Sequence, residues 1–471
     1  MKKLLLILVA GTASLALALA LLAPTLLGFS ITQLGNAVNI ATGMGAKLAC
    51  SGHFVSGFTP ARNLEDLASY SPANRLLDLQ YDEQTKRVTA SLLGMGTTSA
   101  RYRPGLGCTL DIGDTSALDQ IRISQLPETE GEWPRGNGAS HIDSALQQQL
   151  DALLADDNVA GMQTRALLVV QDGRLVAESY AEGITAQTPL LGWSMGKSLT
   201  AMMVGRLEQL GQVPSGAAPL FDEWKQDARA HITLEDMLHM SSGLDFDETY
   251  APGSDATRML FNSHSASAVA LGSLALYQPG EHFSYSSGTT NLLARWITDQ
   301  RGGTPQDGID FFRNEILRPL GMQHTVFEPD PSGIFVGSSY IYASARDWAR
   351  LGLLMLDRGQ WQGEQLLDPE WVQRAHTPNQ SNNAPAYGYQ FWLNSGTKEL
   401  AAGDELRFPQ LPVDAYFMLG NRKQVVMISP STNTVMVRLG WSAGSYPTGE
   451  NFARLLPAVE KTAISAESAA R

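Results

Sequence analysis

The chain has 471 residues, enough for two or three domains and for a core large enough to enclose a pocket. At 44% apolar and 17% charged residues, with 44 glycines and 23 prolines, its composition is that of a globular protein and excludes disordered, coiled-coil and collagen-like chains. A formal charge of -13 repels phosphate backbones and predicts no nucleic-acid partner, while two cysteines and eight scattered histidines without an HxH or HExxH run predict neither a disulfide-dense scaffold nor a metal site.

Met1-Lys2-Lys3 precedes an uncharged Leu/Ala-rich stretch, residues 4–29, long enough as a helix to cross a bilayer core of about 30 Å. Two readings compete. A signal peptide would be cut after a site such as Ala18-Leu19-Ala20, but the apolar run continues through Leu21, Leu22, Leu26 and Leu27, which favours an uncleaved anchor with Lys2 and Lys3 on the cytoplasmic side. Either way the remainder is expected to be exported, periplasmic or on the outer face of the inner membrane. In that compartment Cys50 and Cys108 are expected to pair as a disulfide, the alternative being two buried thiols.

Residues 31–140 read as a small β-rich region closed by the two cysteines, with short apolar runs such as Phe54-Val55-Ser56-Gly57 and Arg87-Val88-Thr89-Ala90-Ser91-Leu92-Leu93 broken by turns. The polar text Glu128 to Gly138 reads as a linker. The main domain, 141–465, opens with a helical pattern at 144–154. A hairpin follows, Ala166–Val170 and Leu175–Glu178 around Gln171-Asp172-Gly173-Arg174. Helical patterns come next at about 196–210, 290–300, 308–318, 344–357 and 368–376, then strands at 387–393, 415–419, 425–429 and 435–439 and a last helix near 449–465. Strands at both ends with helices between predict an α+β fold: an antiparallel sheet whose first and last strands meet, flanked by helices with a helical subdomain.

The most informative text is Gly192-Trp193-Ser194-Met195-Gly196-Lys197-Ser198. Gly192-x-Ser194-x-Gly196 fits the nucleophile elbow of an α/β-hydrolase, and Ser194-x-x-Lys197 fits a serine–lysine pair. Both make Ser194 the nucleophile, but they differ on the base. At a helix start, residues three apart share a face, so a neutral Lys197 could take the serine proton. The chain has only nine lysines; a second match, Ser395-Gly396-Thr397-Lys398, sits in turn-rich text and is expected in a solvated loop. Tyr285, in a strand-to-turn segment leading into a helix, is a candidate proton relay, its phenolate favoured by a nearby ammonium. Tyr342 reads as a buried structural tyrosine. The elbow reading needs a later acid and histidine within strand–helix alternation, for which His239 is the candidate; with a lysine base, His239 is structural or lines the pocket.

At these residues the chain resembles the serine β-lactamase-like hydrolases, a group that includes class C β-lactamases, D-alanyl-D-alanine carboxypeptidases, related esterases and 6-aminohexanoate-dimer hydrolase-like proteins. The similar text covers residues 145–460. It includes Gly192 to Ser198, Ile232 to Leu244, Pro279-Gly280 with Tyr285-Ser286, and Ala345-Arg346-Asp347-Trp348. The resemblance implies a β-lactamase/transpeptidase-like fold, an acyl-enzyme at Ser194, Lys197 as proton acceptor, Tyr285 as acid/base partner and no cofactor. Its second motif usually ends in Asn, where this chain has Ser287. Its third motif, Lys-Thr-Gly or His-x-Gly, has a counterpart in Leu419-Gly420-Asn421-Arg422-Lys423-Gln424, with Asn421 in place of Lys or His and Lys423 near the usual glycine. Backbone amides of Ser194 and of a residue near Gln424 are expected to form an oxyanion hole, and Arg422 or Lys423 to hold an anionic substrate or to be solvated strand-end charges. The expected activity is hydrolysis of a small amide, ester or peptide. A rival expectation is a penicillin-binding-type sensor or cell-wall-binding protein with little turnover.

Overall fold

The first element among the described residues is a helix where the sequence predicted short strands. In the computed structural model, which describes residues 33–127, 129–138, 142–214, 219–396 and 405–456, α1 spans Leu34–Phe54 and Phe54-Val55-Ser56-Gly57 is its end and the following turn. Glycine is a poor helix former, and α1 contains several. Packing reverses the balance: a Cβ on Gly43 would lie 2.1 Å from the Phe261 carbonyl oxygen, and one on Gly52 2.1 Å from Asn63 Oδ1. The glycines let the helix backbone approach the Phe261 backbone and the Asn63 side chain. Next comes α2 (Pro60–Ala68), capped by the Thr59 side chain. The expected β content follows as one antiparallel sheet, β1 (Leu77–Asp82), β2 (Arg87–Leu92), β3 (Thr97–Arg103) and β4 (Gly107–Leu110), paired in sequence order. A disulfide joins Cys50 of α1 to Cys108 of β4.

The predicted linker is not a free tether. Within its described residues Trp133 is buried, and Arg350 donates to the carbonyl oxygens of Pro134 (3.1 Å) and Gly136 (2.7 Å), which straps the segment onto the main domain. That domain begins with α3 (Ser144–Val159), whose first amides are capped by Asp143. The hairpin β5 (Thr164–Gln171) and β6 (Arg174–Tyr180) turns on Asp172 and Gly173, both at positive φ, as a two-residue turn matched to strand twist requires. After β7 (Leu190–Leu191) come α4 (Met195–Gln209), α5 (Leu234–Leu238), α6 (Asp255–Phe261), α7 (Ala266–Leu271), α8 (Ser287–Arg301) and α9 (Pro305–Phe312). Then follow β8 (Thr325–Phe327), β9 (Ile341–Ala343), α10 (Ala345–Leu356), the small hairpin β10 (Gln360–Trp361) and β11 (Glu364–Gln365), and α11 (Pro369–Ala375). The chain closes with β12 (Trp392–Leu393), β13 (Tyr416–Gly420), β14 (Gln424–Ser429), β15 (Thr434–Gly440) and α12 (Thr448–Leu455).

The main sheet is antiparallel in the order β12-β13-β14-β15-β5-β6, so the first and last long strands meet as the sequence predicted, with Val169 opposite Met436. Alternation divides its side chains between two layers. Leu167, Val169, Met427 and Met436 pack with Leu150 and Leu154 of α3 and Phe452 and Leu455 of α12. On the other face, Leu168, Val170, Val426 and Val435 join Met202 of α4 and Leu353 of α10. That inner core also takes in Ala46 and Leu48 of α1, Val88 of β2 and Cys108 of β4, so the N-terminal region and the main domain share one apolar interior. Two expected elements are shorter: the strand at 387–393 retains only Trp392–Leu393, and the last helix ends at Leu455, its predicted remainder lying largely outside the described residues. The apolar stretch at 4–29 also lies outside them. Among the described residues no helix is long and apolar enough to cross a membrane.

Candidate active site

The turn before α4 holds Trp193 at φ +50, a left-handed conformation unusual for a bulky residue and costing about 1–3 kcal/mol. Its indole is buried against the rings of Tyr70, Tyr340 and Trp441, with centroids 6.2 to 6.4 Å apart, and this packing holds the conformation. Ser194 therefore sits at the head of α4, half-buried, with Lys197 one turn further in. Gly196 lets a loop close over the helix: a Cβ there would come within 2.8 Å of the Gly337 carbonyl oxygen. The next carbonyl in that loop, Ser338, reaches Lys197.

Lys197 is 1% exposed, and its Nζ lies 3.1 Å from Ser194 Oγ, 2.9 Å from Ser287 Oγ and 3.2 Å from the Ser338 carbonyl oxygen. Burial penalises the ammonium and lowers this amine from its ordinary 10.5 to about 8, against the opposing pull of the Glu248 carboxylate. A lysine poised there is neutral in a substantial fraction of molecules near pH 8, the state a proton acceptor needs.

Tyr285 faces the same space: Lys197 Nζ lies 4.8 Å from its ring centroid, and the neighbouring Ser194 hydroxyl favours its ionised form. Trp392 stacks on the phenol ring at 5.2 Å and Tyr387 meets it edge-on at 6.1 Å. Burial pushes this phenol well above its ordinary value, which corrects the expectation of a phenolate favoured by the ammonium. Desolvation is the largest cause and the neighbouring Tyr387 and Glu248 add to it, so Tyr285 rests protonated and is equipped to donate.

Ser287, the first residue of α8, stands against Lys197 where the related motif has Asn. Its hydroxyl donates to Glu248 Oε1 at 2.5 Å and its backbone N–H to Glu248 Oε2 at 2.7 Å. Glu248 was not singled out from the sequence. The available signal was the acidic and aromatic text Asp245-Phe246-Asp247-Glu248-Thr249-Tyr250, directly after the similar segment that ends at Leu244.

The third wall differs from expectation. Gly420 ends β13 so close to the turn before Ser194 that a Cβ would lie 2.2 Å from the Gly192 carbonyl oxygen, which puts this strand beside Ser194. The Gln424 side chain does not serve the site: its amide accepts from the Gly440 backbone N–H at 2.9 Å and donates back to the Gly440 carbonyl, clamping two strands together. Asn421 Oδ1 accepts from the Tyr70 hydroxyl at 3.1 Å. Arg422 is neither a solvated strand-end charge nor a free anion clamp; it is buried, with its guanidinium 3.7 Å from the Tyr70 ring centroid. Lys423 is exposed. Tyr70, from the turn after α2, thus brings the N-terminal region to the rim of this wall, a contact no local sequence signal announces.

The remaining candidates lie elsewhere. Tyr342 is a buried residue of β9. His239 packs against Tyr389 with ring centroids 4.7 Å apart; burial lowers its imidazole, and no histidine among the described residues is hydrogen-bonded to Ser194. With the sheet antiparallel rather than built from βαβ units, the nucleophile-elbow reading falls. In the second serine–lysine match, Ser395 is buried rather than solvated, and Thr397 and Lys398 lie outside the described residues. Among the described residues no group of His, Cys, Asp and Glu side chains could hold a metal ion.

An antiparallel sheet with helices on both faces, and a serine at a helix start beside a buried lysine, a tyrosine and a third strand, define the serine hydrolases of the β-lactamase/transpeptidase type. The chain belongs to the beta-lactamase family, whose model matches residues 146–455, and is a serine hydrolase of that type. Across 307 residues, 59% of this chain and 72% of the relative, it is 23% identical to the 6-aminohexanoate-dimer hydrolase of Paenarthrobacter ureafaciens. Solved structures of the same fold include a Bacillus anthracis protein described provisionally as a 6-aminohexanoate-dimer hydrolase (TM-score 0.53, 21% identity, covering 72% of this chain and 87% of that one). Another is a family VIII carboxylesterase (TM-score 0.52, 12% identity, 67% and 98%).

Proposed function

We propose that the protein is an exported hydrolase that cleaves a small amide or ester through an acyl-enzyme on Ser194. The observation carrying this reading is the 3.1 Å approach of a buried Lys197, its amine lowered to about 8, to the Ser194 hydroxyl. The lysine takes the hydroxyl proton as Ser194 Oγ bonds to the carbonyl carbon. Tyr285 then gives its proton to the leaving nitrogen or oxygen as the acyl bond breaks, and is reprotonated from Lys197. Water attacks the acyl-enzyme by the same proton path in reverse. The amide-hydrolase and esterase relatives favour a linear substrate, and the absence of a Lys or His at Asn421 fits a substrate recognised without a carboxylate clamp. Export rests on the apolar stretch 4–29 and on the Cys50–Cys108 disulfide, which persists in oxidising compartments.

Turnover of a nitrophenyl ester, alongside a linear amide, a D-amino-acid peptide and a β-lactam, tests the reading. Ser194→Ala should lower it about 10³-fold or more, and Lys197→Ala about 10²- to 10⁴-fold, whereas His239→Ala should leave it within a few-fold. Near-normal turnover in Lys197→Ala would sink the proposal.

A further inference from the structure

A neutral amine has two N–H bonds and one lone pair, and only the lone pair can take the serine proton. Lys197 has three oxygens around it, so its value as a base depends on which of them accept. The Ser338 carbonyl oxygen can only accept. Asn291 holds its loop through bonds of 3.2 Å from the Ser338 backbone N–H and to the Ser338 hydroxyl. Ser287 Oγ is ambiguous, because a hydroxyl can donate or accept. Were it to donate to Lys197, it would occupy the lone pair and block the base.

We propose that Glu248 is a positioning residue that decides this ambiguity: by binding both the hydroxyl proton and the backbone N–H of Ser287, it makes Ser287 Oγ an acceptor and leaves the lysine lone pair facing Ser194. The carboxylate cannot donate, and its two short bonds, 2.5 Å and 2.7 Å, fix the serine on both sides. Both N–H bonds of neutral Lys197 are then taken, by Ser287 Oγ at 2.9 Å and the Ser338 carbonyl at 3.2 Å. The one remaining direction points at Ser194 Oγ. An Asn in place of Ser287 would present a carbonyl oxygen that accepts without help. The serine needs the glutamate, and the two form one device. Glu248 also raises the amine against the effect of burial. The other titratable groups facing this space are the Tyr285, Tyr250 and Tyr387 phenols.

The inference rests on the serine–lysine reading above, and the test separates the two. The rate of fluorophosphonate labelling of Ser194 is measured in the full-length protein from pH 5 to 10. In Glu248→Gln the new amide donates to Ser287 Oγ and turns its proton toward Lys197. The maximal rate should fall about 10- to 100-fold, and the rise of rate with pH should move to lower pH, because a negative charge that favoured the ammonium is gone. Adding Ser287→Asn to Glu248→Gln should restore at least about 10-fold, whereas adding Ser287→Ala, which removes the blocking hydroxyl but leaves one lysine N–H without its acceptor, should restore less than Asn does. An unmoved pH profile, or no recovery with Asn, would overturn the role of Glu248 even if Ser194 still labels and Lys197→Ala still abolishes labelling. A parent protein that takes no label at Ser194 would instead overturn the serine-hydrolase reading, and this one with it.

Discussion

Beside the chemical role proposed for it, Lys197 carries a stability cost. Its folded amine titrates near 8 against 10.5 when unfolded, so between those values the unfolded chain binds more protons and stability rises with pH. Below about pH 8 the cost is present in full. Lys197→Met should therefore abolish turnover yet raise unfolding free energy at pH 7 by up to about 3 kcal/mol. In denaturant titrations the gain should shrink toward zero as pH approaches 10.5; an equal gain at pH 7 and pH 10 would contradict it. Tyr285 shows the same competition with the opposite chemistry, since burial holds the phenol protonated beside a lysine that needs to lose its proton. Two neighbouring groups shifted in complementary directions by one low-polarity site can serve as acceptor and donor at the same pH.

At the scale of elements, two features set the site: a turn that delivers Ser194 to the head of α4, and the α1 helix that braces the other side of the core. Lys47 of α1 is fully buried against Glu328, which follows β8 and also accepts from Ser51 Oγ at 2.8 Å and from the Cys108 N–H at 2.6 Å. Glu328 in turn bonds through its backbone to Val336 and Tyr340, on either side of the loop whose Ser338 carbonyl meets Lys197. Glu328→Gln removes one partner of a buried ion pair and strands the other, so it should cost about 3–5 kcal/mol in unfolding free energy. A loss below about 1 kcal/mol would mean that the pair is not holding α1. The elements differ in how far the sequence disclosed them. The β5–β6 hairpin is legible because Asp172-Gly173 supplies two positive-φ residues between alternating apolar runs. Helix α1 is not, because its glycines read as breakers until Phe261 and Asn63 appear beside them.

For the molecule as a whole, the N-terminal region is integral to the hydrolase domain. It shares the apolar interior, contributes Tyr70 to the third wall, and is closed by a disulfide between residues 58 apart in sequence. Closing a loop of that length restricts the unfolded chain, and Cys108→Ser should lower stability by up to about 4 kcal/mol. The same loss should follow reduction of the parent protein, and equal denaturant midpoints with and without reductant would contradict the role assigned to the bridge.

By itself the sequence singled out Ser194, Lys197 and Tyr285 and foretold the antiparallel sheet, because each is written in local spacing: a step of three residues from Ser194 to Lys197, a turn before Tyr285, and alternating runs at both ends of the domain. Tertiary structure alone decided the rest. Glu248 lies 39 residues from Ser287, Ser338 lies 141 from Lys197, and Tyr70 lies 351 from Asn421. No local pattern encodes such meetings, since each side chain is ordinary where it stands. The charge balance, the acceptor geometry and the shape of the third wall arise only when folding removes these groups from water and leaves them one another as partners.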